Sequence, residues 1–182
     1  MEKATEPETP GIYTGVLGIV QWLDMLTNNA KNNARDRYPG WAHHHIGEIL
    51  KTYGRVFHPE SALPVENPGP SRRCFHNSME ATFAHDHLTY VEGFASAFFP
   101  TEHAWCADAS GSLYEPTWDK PGTAYFGIPF KWEAVAQANE TNHFIGGGFV
   151  LGTPLMIEWM QHGFDESLLV DIGEPLPTAT NA

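Results

Sequence analysis

At 182 residues, 42% of them hydrophobic and 13% aromatic, the chain carries enough apolar material for one domain with a substantial core and is too short to suggest two. A formal net charge of −12 argues against binding to a phosphate backbone, which needs clustered Lys and Arg, and suits a cationic or neutral substrate better. Two cysteines make no disulfide scaffold, the opening MEKATEPETP lacks the apolar stretch of a secretion signal, and no apolar run nears the roughly eighteen residues of a membrane span. The expectation is therefore a cytoplasmic protein with reduced thiols, no membrane contact and no nucleic-acid partner.

Residues 1–10 read as a flexible leader, 11–172 as a single domain, and GEPLPTATNA (173–182) as a flexible tail. Apolar residues at Val16, Ile19, Val20, Leu23 and Leu26 recur at helical spacing from Gly15 to about Asn33. WAHHHIGEILKTYG predicts a second helix that stops near Gly54, and HPESALPVENPGPSRR predicts a loop. CFHNSMEATFAHDH places Phe75, Met79, Thr82 and Phe83 on one face of a short buried helix. Four β-like runs follow: TYVEGFASAFF, EHAWCAD, SLYEPTW and TAYFGIPF. KWEAVAQANE returns to helix, FIGGGFVLG fits neither pattern, and PLMIEWMQHG opens a last helix with Pro154 at an allowed first position. Helices, a small antiparallel sheet and further helices make an α+β domain.

Within HAWCADASGSLYEPTW, strand alternation puts His103, Trp105 and Ala107 on one face and Cys106 and Asp108 on the other. His103 and Cys106 therefore do not share a ligand face, and no CxxC pair exists. The turn D-A-S-G suits a three-residue loop with Gly111 left-handed, which sets Asp108 opposite Ser112 and Trp105 opposite Glu115. Glu115 then lies diagonally across from His103, on the same face. A two-residue loop over Ala109–Ser110 would slip the register by one and exchange the faces. On the three-residue register His103 has a carboxylate to orient it, and Asp108 is a turn residue. Such a pair is either the base half of a nucleophilic triad or a buried His satisfied by an acid.

Cys74 follows NPGPSRR and opens a helix that Ser71 would cap. In a first helical turn, free N–H groups and the positive end of the helix dipole favour a thiolate, and Arg72 and Arg73 add charge of the same sign. The alternative is a small buried residue at the start of a core helix. Cys106, inside a strand, is expected to be of that kind.

A cysteine opening a core helix, then a strand with HAW, then a strand with an acid followed by Pro-Thr, resembles the transglutaminase-like branch of the papain-like thiol enzymes. The series RCFHNS, YVEGFA, EHAW, YEPTW and YFGIPF is also similar to motifs of small uncharacterised bacterial and bacteriophage proteins. The resemblance covers residues 70–130. It implies a papain-like core, with Cys74 as nucleophile, His103 as general base and acid, and Glu115 as the orienting acid where the broader family has Asp. It implies a peptide, protein or small amide-containing substrate and no cofactor, with a host-cytoplasmic setting if the protein is phage-encoded. Asn67 is a candidate oxyanion donor beside the Cys74 backbone N–H. Trp105, on the His103 face, is a candidate cleft wall or a core residue.

The histidine tracts AHHH (42–45) and HDH (85–87) suggest a metal site. Successive helical residues point about 100° apart and cannot face one ion together, so no metal is expected. GGG at 146–148 lacks the Lys and Ser/Thr of a phosphate loop. The reading that follows is a Cys-His-Glu amide hydrolase. An acyltransferase on the same residues, a non-catalytic binding or inhibitory module and a metal-dependent hydrolase are the alternatives.

Overall fold

The β-forming runs in the middle of the chain supply four strands of one six-stranded antiparallel sheet. A computed structural model describes residues 15–34, 38–141 and 148–177. The expected leader at 1–10, the first four residues of FIGGGFVLG (144–147) and residues 178–182 of the expected tail lie outside them. The helices are α1 (Gly15–Ala34), α2 (Ile46–Tyr53), α3 (Cys74–Ala84), α4 (Trp132–Thr141) and α5 (Pro154–His162). The strands are β1 (Arg55–Phe57), β2 (Thr89–Ser96), β3 (Pro100–Ala107), β4 (Leu113–Tyr114), β5 (Ala124–Phe130) and β6 (Glu174–Pro175). They run in the order β4-β3-β2-β5-β1-β6, every pair antiparallel.

Period-two alternation along the central strands builds a separate core on each face of the sheet. Tyr90, Phe94, Ala104, Phe126, Ile128 and Phe130 project to one side, where residues of all five helices cover them, including Ile19, Leu50, Met79, Val135 and Trp159. Val91, Ala95, Trp105 and Tyr125 project to the other side, packed with Phe57, Leu113 and Ile172 and covered by Ala62, Trp118 and Val170. The mixed α+β class is as expected from the pattern. Among the described residues no helix is long and apolar enough to cross a membrane.

Four local expectations need correction. Helix α2 begins at Ile46, not Trp41, because His45 is extended and its ring accepts the Gly47 N–H as an N-cap. The three histidines therefore lie before the helix. Phe83 is 78% exposed and does not join the buried face of α3. The sequence reading missed β1, only three residues long, and its partner β6 takes Glu174 and Pro175 out of the expected tail. Pro175 fits there because β6 is an edge strand, where a missing N–H need not break a ladder.

Candidate active site

The β3–β4 hairpin sets the geometry of the acid and the base. Gly111 is left-handed (φ +82°), its N–H bonds to the Asp108 carbonyl, and the Asp108 N–H reaches the Ser112 carbonyl at 3.1 Å. Cys106 pairs with Tyr114 and Ala107 with Leu113. This is the three-residue register, and Asp108 spends its Oδ1 on the N–H groups of Ser110 and Ser112, as a turn residue does.

His103 Nε2 lies 2.8 Å from Glu115 Oε2, with both side chains almost fully buried. The Glu115 carboxylate is held on all sides. Tyr125 Oη donates to Oε2 at 2.8 Å, and the N–H groups of Thr117 and Trp118 donate to Oε1 at 3.0 and 3.1 Å. The Trp118 indole stacks on the imidazole at a 4.0 Å centroid distance and 18° between planes, which fixes the ring plane and favours its cationic form. The sequence reading missed Trp118 and Tyr125 as parts of this shell.

Helix α3, which opens with Cys74, packs on β3 and β2. Strand β4 stops after Tyr114 and pairs only with Cys106 and Ala107, so it leaves the β3 edge beside His103 without a neighbouring strand. The loop before α3 docks there. Gly69 N–H donates to the Pro116 carbonyl at 2.7 Å, and Asn77 Nδ2 donates to both the Pro70 carbonyl and Thr117 Oγ1 at 2.9 Å. Arg73, not Ser71, is the N-cap residue and makes no side-chain cap bond, which puts the half-buried Cys74 at the first helical position. Arg72 just before it is left-handed (φ +66°), the single non-glycine residue of that kind among the described residues.

With Nε2 engaged by Glu115, Nδ1 is the ring nitrogen free of that carboxylate. Burial by itself pushes the imidazole pKa down, but the hydrogen bonds and charges of Cys74 and Glu115 outweigh it and raise His103 to about 9. Cys106 has the opposite environment. It is fully buried, its Sγ bonds to the Ser78 carbonyl at 3.3 Å, and burial pushes its thiol up to about 12.

Two expected site residues lie elsewhere. Asn67 is exposed and lines a cavity with His85, His87 and Tyr114, beyond the end of α3 opposite Cys74, so it is not an oxyanion donor. Trp105 is fully buried among Val91, Phe57 and Tyr125 and is core, not a cleft wall. Among the described residues no three His, Cys, Asp or Glu side chains gather where a metal ion could sit.

The largest surprise is Glu92, on the helix-covered face of β2 and 1% exposed. Its Oε1 accepts the N–H groups of Phe149 and Leu151, and its Oε2 accepts Val150 N–H and Tyr90 Oη, all at 2.7–3.0 Å. Gly148 (φ +96°) packs so closely on this carboxylate that a Cβ there would overlap Oε1. Comparison of the chain with protein-family models, curated proteins and solved structures finds no match.

Proposed function

We propose that the protein is a cysteine-dependent hydrolase of amide bonds, working through Cys74, His103 and Glu115 and an acyl-enzyme thioester. The observation that carries this reading is the buried imidazole held at Nε2 by Glu115 at 2.8 Å, with Cys74 opening the helix that Asn77 ties to the loop after Glu115. A His103 pKa of about 9 keeps the ring protonated at neutral pH, the form that pairs with a thiolate. Sulfur attacks the carbonyl carbon, the C=O electrons move to oxygen, and the Cys74 backbone N–H, one of the first-turn donors without an intrahelical acceptor, would stabilise that oxygen. His103 gives its proton to the departing amine as the C–N bond breaks, leaving the thioester. Water then adds with His103 taking its proton, and the C–S bond breaks to release the acid. An amine in place of water gives acyl transfer on the same residues. The papain-like core implied by the sequence resemblance belongs to this proposal.

Thiol labelling tests it. Iodoacetamide at neutral pH should alkylate Cys74 of the folded protein far faster than Cys106, and Glu115→Gln should slow the Cys74 reaction. Equal, slow alkylation of both thiols would refute the proposal.

A further inference from the structure

The histidine tract before α2 and the two methionines of α5 take no part in the site around His103, yet they meet at one cavity of about 280 Å³. That is just below the roughly 300–1,000 Å³ of sites for drug-sized ligands, so it suits a smaller molecule. Its body is apolar, built from Leu50, Phe94, Leu151, Met156 and Met160. His44, His45 and Glu102 supply the polar atoms, and Glu102 is exposed at the mouth.

Hydrogen bonds hold these walls in place. The His43 N–H donates to the Met160 carbonyl at 2.9 Å and ties the tract to α5. His45 Nδ1 accepts the Gly47 N–H at 3.0 Å, so its ring carries its proton on Nε2, and burial lowers its pKa and keeps it neutral. The Leu151 N–H is bound to buried Glu92 at 3.0 Å. Walls fixed in this way lose little freedom when a ligand enters.

The strand register sets the charge the cavity favours. Glu102 pairs directly with Phe94 across β3 and β2, so carboxylate and aromatic ring share one face as neighbours. Among the described residues Glu102 pairs with no Lys or Arg, and no other lining residue carries a fixed charge. A carboxylate beside an aromatic ring attracts a cation by its charge and through the ring. The net charge of −12 adds the same sign at longer range.

We propose that this cavity binds a small primary alkylamine in its protonated form, with the ammonium against Glu102 and Phe94 and the hydrocarbon arm between Leu151, Met156 and Met160. Nothing in the site involves Cys74, so it stands or falls apart from the proposed hydrolase.

Hexylamine, 1-hexanol and hexanoate share one arm and differ in the head group. At about pH 8 the amine is protonated and imidazoles are in general neutral. Titrated into the full chain with methyl-labelled methionine, hexylamine should shift the Met156 and Met160 signals and leave those of Met25 and Met79 unmoved. Its dissociation constant should lie roughly two- to five-fold below that of hexanol, the range of an exposed ion pair, with hexanoate weakest. Added salt should shrink that advantage. Glu102→Gln, at an exposed position, should abolish it and leave the affinity for hexanol unchanged. Equal affinities for amine and alcohol, or an advantage that survives Glu102→Gln, overturn the choice of ligand. Shifts confined to Met25 or Met79, or binding of none of the three, overturn the site.

Discussion

Replacing Glu92 by Gln should flatten the dependence of stability on pH between 4.5 and 7. Burial raises the Glu92 pKa from 4.5 to about 7, although Tyr90 and the N–H groups of Val150, Phe149 and Leu151 pull against it. A carboxyl whose pKa rises on folding holds its proton more tightly in the folded state. Its stabilising contribution is complete below pH 4.5 and is lost as the pH climbs through about 7. That rise corresponds to about 3 kcal/mol, a large share of the roughly 5–15 kcal/mol that separates a folded domain from its unfolded chain.

The neighbouring titrations do not mimic this effect. Asp108 and Asp165 have lowered pKa values, so their contributions are lost only as the pH falls below 3.8. His103, raised from 6.5 to about 9, contributes stability that is lost above 6.5 in both proteins alike. Urea unfolding from pH 4.5 to 7.5 should therefore show wild type losing about 3 kcal/mol more than Glu92→Gln across the window. The variant starts lower, because its amide N–H₂ faces N–H donors, and only the difference in slope is diagnostic. The ¹³C signal of the Glu92 carboxyl should titrate near 7 in wild type. Parallel stability curves, or a carboxyl titrating near 4.5, would refute the argument that desolvation outweighs four donated hydrogen bonds.

Three further outcomes are expected. Gly148→Ala should cost about 1–3 kcal/mol, since it adds both a positive-φ strain and a collision with Glu92 Oε1; a thermal melt should show a lowered Tm. Asn77→Ala removes the bonds to Pro70 and Thr117 that tie α3 to the acid loop, and should slow Cys74 alkylation at pH 7 by about tenfold or more while leaving the rate in the unfolded protein unchanged. Glu115→Gln should lower the His103 pKa from about 9, visible in the imidazole NMR titration; an unmoved value would show that Glu115 does not set the charge on the ring.

The acid–base pair was legible in the sequence because its placement depends on local rules. Gly111 fixes a turn, the turn fixes a register, and the register puts Glu115 on the face of His103. The position of Cys74 at a helix start was legible for the same reason, from the Pro- and Gly-rich segment before it. What surrounds them was not. Trp118 and Tyr125 reach His103 and Glu115 from beyond the hairpin, and their stacking and bonding depend on where β5 runs in the sheet. Trp105 shared a face with His103 in the pattern, but a pattern cannot say that the face is sealed by Phe57 and Leu113. Asn67 was placed by proximity in sequence, whereas the loop carries it to the far end of α3. Glu92 sits in a β-forming run where alternation marks it only as facing one side. Its three N–H partners come from more than fifty residues away.

The two buried glutamates explain each other. Glu92 and Glu115 lie on opposite faces of the same sheet, and neither has a Lys or Arg partner among the described residues. Each is held by a tyrosine hydroxyl and by N–H groups of a tight turn. The difference is the fourth donor: a third backbone N–H for Glu92, an imidazole for Glu115. A backbone N–H cannot give up its proton, so the Glu92 arrangement can only hold the 148–151 turn in place. An imidazole can, and it has a second nitrogen to face a thiol. Similar carboxylate cradles thus hold two different partners, a backbone turn for Glu92 and an imidazole for Glu115. The two cradles should accordingly fail separately: loss of the Glu92 bonds should loosen the 148–151 turn, and on the proposed mechanism loss of the Glu115 bond should slow the reaction of the Cys74 sulfur.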